Sequence, residues 1–510
     1  MELQTIDKRI KVIQPIFDDV DERPLDCDFM LPEYLPDIAS VLKCIVEPIV
    51  QSYQVSGDRV MADGTVLMRL LYLDEERRCV RVFENSQSFT ATFTVKEMEG
   101  NYRVQLSPKV NYVNCRATGP RRVSIHGAFC VRLKVTGERE ETVAQAVDCK
   151  DVCTKTRQIS YSSPASFAEK VFTVNEVLEL EQKHHAESLV RTQATPRITD
   201  CRKMEGKAVV KGEISLKTVY VADNTTGRLE TSENVILFSQ IIDADGLNEI
   251  QPSSCKVSML TYEVHSVQNP NGENNLLSFL AKLSVTLQSY DSGNCTVITD
   301  AYHTAYPIRC RTRSIAPLYI SENRCESTVI PASVDLPDTG VCKIEDLWCD
   351  VLSVDHRKEG GHNYTDVQVL VCMLTRDNKD CLSYYERPTE FAIDQGDGHG
   401  VWNCEVALYR CGYTLAEGCV ELQLHVHCCG MVVVSEQYAV IGDMTADEKS
   451  PYVAGEEMNG CCMKAYFASK GESLWEIAQA QHLPLDLLYR ENERCADVLT
   501  EDTVLLLTLK

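Results

Sequence analysis

From residue 64 the chain reads GTVLMRLLYL, with Val66, Met68, Leu70 and Tyr72 at alternate positions, the period of a β-strand with one buried face. The pattern returns from residue 212 as GEISLKTVYV, in which Ile214, Leu216, Thr218 and Tyr220 take the matching places. Pro48 and Pro196, Gly64 and Gly212, and Tyr72 and Tyr220 are each 148 positions apart, a constant offset that marks an internal repeat. A weaker third copy, TDVQVLVCMLT at 365–375, is apolar on both faces. In each copy a polar turn (LDEERR, ADNTTG or TRDNKD) leads to a second extended run carrying Phe89, Phe238 or Phe391, which predicts a hairpin. A second strand pair follows around RATGPRR, QNPNGENN or TLAEG. In the first copy its return strand alternates cleanly. Val123, Ile125, Phe129, Val131 and Leu133 are apolar, whereas Arg122, Ser124, His126, Arg132 and Lys134 are not, so one face is left to water.

Ahead of the first copy, residues 1–28 become acidic (Asp18, Asp19, Asp21, Glu22, Asp26, Asp28) and read as a separate N-terminal segment. In MLPEYLPDIASVLKC, Pro36 suits the first turn of a helix, and Ile38, Val41, Leu42 and Ile45 form one stripe, so a short helix is expected. Beyond residue 443, MTADEKSPYVAGEEMNG reads as a polar linker. The last segment resolves into a strand at 465–468, a Lys470-Gly471 turn and a capping box from Ser473 to Glu476. A helix with Leu474, Ile477 and Ala478 inside follows, then a second helix opened by Pro484 and a return strand at 503–509. The expected fold is mainly β: repeated β-sandwich-like units at 29–157, 158–315 and 316–443, a linker at 444–463, and a small β-α-α-β domain at 464–510.

A formal charge of −24 and a pI near 4.9 argue against sequence-independent nucleic-acid binding, which needs clustered Lys and Arg, and favour a basic protein surface as partner. The 24 cysteines are scattered and the first residues lack an apolar signal core, so the thiols are expected to be mostly reduced in a soluble, cytoplasmic protein. No run approaches the length needed to enter a bilayer, and no direct membrane insertion is expected.

Residues 464–510 resemble a LysM domain, through Gly471 to Ala478 (G-E-S-L-W-E-I-A), Leu488 to Asn492 and the last strand. Asp502 stands where the family usually has glycine. The resemblance places a ligand or partner on Gly471, Glu472, Ser473, Leu474, Trp475 and Asn492, with Leu474 and Trp475 as candidate anchors. The repeated units, with MLPEYLPDIASVLKC at the start and the glycine-led strand ending in tyrosine, resemble the SPOCS domain of sporulation coat-assembly proteins. SPOCS repeats followed by LysM are the layout of spore coat morphogenetic proteins of endospore-forming Firmicutes, the clostridial type especially. That layout implies a non-enzymatic scaffold in the mother cell, recruited to the forespore surface, with the basement-layer morphogenetic ATPase and other coat proteins as partners. The alternative is a wall- or cortex-associated protein whose LysM domain binds the N-acetylglucosamine of peptidoglycan.

Chemistry-bearing constellations are sparse. In CVELQLHVHCCG, Cys419, His425, His427 and Cys429 share one face of a strand, a set that suits tetrahedral zinc, yet the opposite apolar face makes the stretch an ordinary half-buried strand. DADG at 243–246 lacks the closing glutamate of a calcium loop and reads as a turn. The adjacent Cys461 and Cys462 are candidate intermolecular cross-linking thiols, although idle linker thiols are the simpler reading. No phosphate-binding, nucleophile-elbow or zinc-protease motif occurs, so neither enzymatic activity nor a cofactor is expected.

Overall fold

The computed structural model describes residues 2–76, 79–96, 98, 102–180, 185–336, 340–398, 400–452, 463–492 and 495–508. The first unit comprises β1 (Thr5–Met30), β2 (Ile38–Ser56), β3 (Arg59–Asp74), β4 (Val80–Thr94), β5 (Tyr102–Gly119) and β6 (Arg122–Val147). They form two antiparallel three-stranded sheets, β2-β3-β4 and β1-β6-β5. Apolar positions that alternate along β3 (Val66, Met68, Leu70) meet those of β6 (Ile125, Val131, Leu133) in one closed core.

The second unit repeats the plan with β7 (Val152–Glu179), β8 (Ser188–Met204), β9 (Lys207–Asp223), β10 (Arg228–Asp243), β11 (Ser253–Val267) and β12 (Leu276–His303), in sheets β8-β9-β10 and β7-β12-β11. The third has β13 (Ile308–Ile315), β14 (Leu318–Asp335), β15 (Val341–Glu359), β16 (His362–Asp377), β17 (Leu382–Asp397), β18 (Val401–Ala416), β19 (Cys419–Ser435) and β20 (Tyr438–Ala446). Its sheets are β15-β16-β17 and β14-β19-β18, and β13 pairs with β20. Together β13 and β14 stand for the single long strand β7, interrupted at Ala316-Pro317, where proline has no N–H to continue a ladder.

The glycine-led strands expected from the repeat occupy the same place in their sheets. Gly64 on β3 lies opposite Phe89, and Gly212 on β9 lies opposite Phe238. In both, the ring covers the bare glycine backbone: a Cβ on Gly64 would sit 2.5 Å from the Phe89 ring and against the Ile49 carbonyl, and one on Gly212 would collide with Phe238 and with the Arg197 carbonyl. Gly64→Ala and Gly212→Ala are each expected to destabilise by about 1–3 kcal/mol through overpacking, read from urea midpoints. In the third unit Val367 faces Phe391 instead, which explains the weaker sequence match of that copy.

The units close into a ring. Strand β4 touches β8, β10 touches β15, and β17 returns to β2. One seam gathers residues at equivalent register from all three units, Leu71, Val219 and Leu374 and then Val80, Leu229 and Leu382, so the ring has pseudo-threefold symmetry. A bulge precedes Lys43, Arg191 and Asp346 alike, each opposite one of those first three residues. Arg191 Nε donates to Asp346 Oδ2 (2.6 Å), Lys217 Nζ reaches Asp346 Oδ1 (2.8 Å), and the Arg191 guanidinium lies 4.5 Å from the Trp348 ring centre. Lys43 pairs with Glu386, linking the first and third units. At the far end, the extensions of β1 and β6, β7 and β12, and β13 and β20 bury a common core that includes Ile10, Val143, Ile159, Val297, Ile315 and Val440.

Three expectations need correction. Residues 1–28 are not a separate segment, because most of them form β1, the edge strand on β6, where Pro15 and Pro24 are tolerated and Asp18 takes a two-pronged contact from Arg132 (2.6 and 2.8 Å). The expected helix at residue 38 is strand β2. Bulges between Ile38 and Ser40 and between Val41 and Lys43 each add a residue and give a strand helix-like apolar spacing. Finally, residues 444–446 belong to β20, with Met444 buried, so the expected linker starts later. DADG is a turn, with Gly246 at φ +82°.

Candidate functional site

The C-terminal module comprises β21 (Met463–Ala468), α1 (Leu474–Ala480), α2 (Leu485–Glu491) and β22 (Thr503–Thr508), with β21 and β22 paired antiparallel. The expected capping box is present: Ser473 Oγ accepts the Glu476 N–H (3.2 Å) and Glu476 Oε2 accepts the Ser473 N–H (3.4 Å). Gly471 holds φ +95° in the preceding turn, a conformation glycine adopts without strain. Glu472 accepts the Ser469 N–H (2.9 Å) and closes that turn. Asn492 clasps α2 to β22, with Nδ2 donating to the Leu488 and Leu506 carbonyls (3.0 and 2.9 Å) and Oδ1 accepting the Leu506 N–H (2.9 Å).

The two candidate anchors point inward. Leu474 is completely buried with Ile477, Leu488 and Leu505 in the module's core, so it offers no side chain to a ligand. Trp475, only 7 % exposed, is packed against the second unit: its ring meets Tyr302 edge-on at 5.0 Å and its Nε1 donates to Asp300 Oδ2 (2.8 Å). Tyr302 in turn donates to the Leu483 carbonyl (2.7 Å), and burial is the first cause that pushes its phenol well above the usual range. Trp475 thus fastens the module to the end of β12, a contact with no local sequence signal because Asp300 and Tyr302 lie far away in the chain.

What the module leaves open is the outer face of its two-stranded sheet. Phe467 is 80 % exposed beside Val504, its register partner, and Met463 and Leu506 are exposed on the same strands. Four large apolar groups on two short strands form a surface of the kind that proteins cover with a partner. Sequence reasoning passed over it because alternation is uninformative on so short a strand.

A second exposed apolar stripe runs along the edge strand β10, through Val235, Leu237 and Ile241. The repeat offset held the signal. The first unit has Ser86, Ser88 and Thr92 at the corresponding places and the third has Pro388, Glu390 and Asp394, judged by pairing on the central strand. The cleft between the second and third units, lined by Lys217, Glu233, Trp348 and Arg410 among others, has its charges engaged in the pairs Lys217–Asp346 and Arg410–Glu233.

The zinc candidates are dispersed among other partners. Cys429 is disulfide-bonded to Cys325 on the neighbouring strand, which leaves it no thiolate for a metal, His427 hydrogen-bonds Ser327, and the His425 ring packs on Tyr409. Among the described residues no cluster of three metal-ligating side chains occurs, and no helix is long and apolar enough to cross a membrane. Cys461 and Cys462 lie outside the described residues.

Residues 37–118 and 185–265 match the family model described as SipL, SPOCS domain. These stretches are SPOCS domains. Each match spans the first sheet and the strand after it, β2 to β5 in one case and β8 to β11 in the other, and omits the long strands β1 and β6 or β7 and β12 that complete the sandwich. The third unit has the SPOCS strand order without a match of its own. No curated protein and no solved structure matches the chain. The SPOCS domain family suggests a sporulation-related coat protein.

Proposed function

We propose that the chain is a non-enzymatic scaffold of spore coat assembly, with the SPOCS ring as its rigid body and the LysM-like C-terminal module as a protein-binding arm. Its partners in this reading are the basement-layer morphogenetic ATPase and other coat proteins, met at the forespore surface of a clostridial-type spore former. The observation that carries the protein-binding role is the exposed sheet face of Met463, Phe467, Val504 and Leu506. An aromatic anchor ringed by aliphatic groups suits the buried centre of a protein interface, and the charge of −24 favours a basic rim on the partner.

The test uses the full chain as bait in extracts of sporulating cells, with peptidoglycan binding measured in parallel. Phe467→Asp is expected to abolish recovery of coat proteins while circular dichroism and thermal unfolding stay unchanged, a loss of about 2 kcal/mol or more of binding free energy. Retention of peptidoglycan with no coat protein recovered by the parent chain would overturn the scaffold reading. Undiminished recovery by Phe467→Asp would move the contact elsewhere, the β10 stripe first.

A further inference from the structure

In each sandwich the closest approach between edge strands of the two sheets is a seam of β2 against β5, β8 against β11, or β15 against β18. A cysteine pair crosses every one of these seams. In the third unit Cys349 Sγ lies 3.6 Å from Cys411 Sγ. In the first, Cys44 on β2 and Cys115 on β5 belong to one packed core, as do Cys201 on β8 and Cys255 on β11 in the second. The pairs sit at different heights, since Cys44 is in register with Leu70 whereas Cys201 is in register with Val210 on the repeat. What recurs is therefore the bridged seam and not one inherited position. Cysteine is often buried as a small apolar residue, but that preference does not place a second thiol across the same seam three times.

The chemistry within each pair is also repeated. One thiol is buried (Cys44, Cys255, Cys349) and its mate is partly exposed (Cys115, Cys201, Cys411). The hydrogen bond from the buried thiol lowers the pKa of the exposed one, while the same bond, with burial, pushes the buried thiol up. The partly exposed sulfur is the one that a disulfide in solution can reach, and its buried mate lies behind it in the place of a resolving thiol. Cys404 and Cys428 form a contrasting fourth pair, on adjacent strands of one sheet with both thiols buried.

We propose that the three seam pairs are redox staples, oxidised by a small-molecule disulfide to Cys44–Cys115, Cys201–Cys255 and Cys349–Cys411, each of which ties the two sheets of one sandwich together. The exposed thiolate attacks one sulfur of the small disulfide, whose S–S bond breaks and releases a thiolate that takes up a proton. The buried thiol then gives up its proton and attacks the mixed disulfide, forming the protein S–S bond and expelling the second small thiol. Two protein thiols are oxidised and one disulfide is reduced to two thiols. The sulfurs must close to about 2.05 Å, a movement that strands at an open seam can make. The inference rests on the seams alone and stands apart from the coat-assembly reading.

The experiment treats the purified full chain with oxidised glutathione, alkylates the remaining thiols under denaturing conditions, and maps peptides without reduction. Six thiols should be lost and three new cross-linked peptides recovered, one per sandwich, beside the existing Cys325–Cys429 link, with Cys404 and Cys428 still alkylated and the thermal unfolding midpoint raised. Cys115→Ser, Cys201→Ser and Cys411→Ser should each remove one link while leaving far-ultraviolet circular dichroism unchanged. Glutathione retained on Cys115, Cys201 and Cys411 without internal links, or new links formed between cysteines other than these pairs and Cys325–Cys429, or between chains, would overturn the proposal.

Discussion

Trp475→Ala is expected to release the C-terminal module from the ring while the three sandwiches stay folded. The substitution removes a large side chain that is almost wholly enclosed, together with its hydrogen bond to Asp300. Truncations of this kind cost about 3–5 kcal/mol, more than a contact between so small a module and one strand end can lose. Because Trp475 also belongs to the module's own core, the decisive variants lie on the other side of the contact. Tyr302→Ala and Asp300→Ala leave the module's sequence intact, and both should speed proteolytic cleavage beyond residue 446 and extend the particle in small-angle scattering. Asp300→Asn keeps an acceptor for the indole N–H and should resemble the parent. If Tyr302→Ala and Asp300→Ala leave cleavage and scattering unchanged, the module is held by other contacts.

The second large effect concerns the ring. Arg191 and Asp346 are buried, on neighbouring units, and joined by two hydrogen bonds of 2.6 and 3.1 Å. Removing Arg191 leaves the buried Asp346 with Lys217 as its remaining counter-charge in a dry seam, so Arg191→Ala is expected to cost about 3 kcal/mol, whereas the double substitution Arg191→Met with Asp346→Leu should cost far less. Calorimetry of the full chain compares them. The pH response follows from the same pair. Burial alone would raise the Asp346 carboxyl, but Arg191 and Lys217 more than offset it and hold the pKa below the ordinary carboxylate value. A carboxyl whose pKa is lower folded than unfolded contributes stability above the unfolded value, about 3.9, and loses it as pH falls through the folded value. The ring seam should therefore be insensitive between neutral pH and about pH 5 and weaken only in stronger acid. In Arg191→Ala the loss should move to higher pH.

Much of the candidate site was written in the last segment of the chain. Ser473 and Glu476 cap α1 as their spacing required, Leu488 is buried inside the second helix, and Asn492 falls where that helix ends. The direction in which Trp475 points was not legible. A tryptophan in the first turn of a short helix is compatible with ligand contact or with packing, and the choice was made by Tyr302 and Asp300 on a strand from another unit. The seam thiols were equally silent, because Cys44 and Cys115 become neighbours only when two sheets close on each other.

The sequence by itself determined what depends on local periodicity. Alternation and the 148-residue offset specified the central strands β3 and β9 and their aromatic-covered glycines, and turn and capping residues specified the hairpins and the β-α-α-β module. Only the tertiary structure decided what depends on partners remote in the chain. Strand β1 is acidic and carries two prolines, and it is a strand because β6 supplies its hydrogen bonds. Strand β2 looks helical because its bulges displace the apolar phase, and the bulge between Val41 and Lys43 places Leu42 against the ring seam. Periodicity is a property of a few neighbouring side chains, whereas pairing and closure are settled by which surfaces can be buried together, and no short window of sequence contains both surfaces.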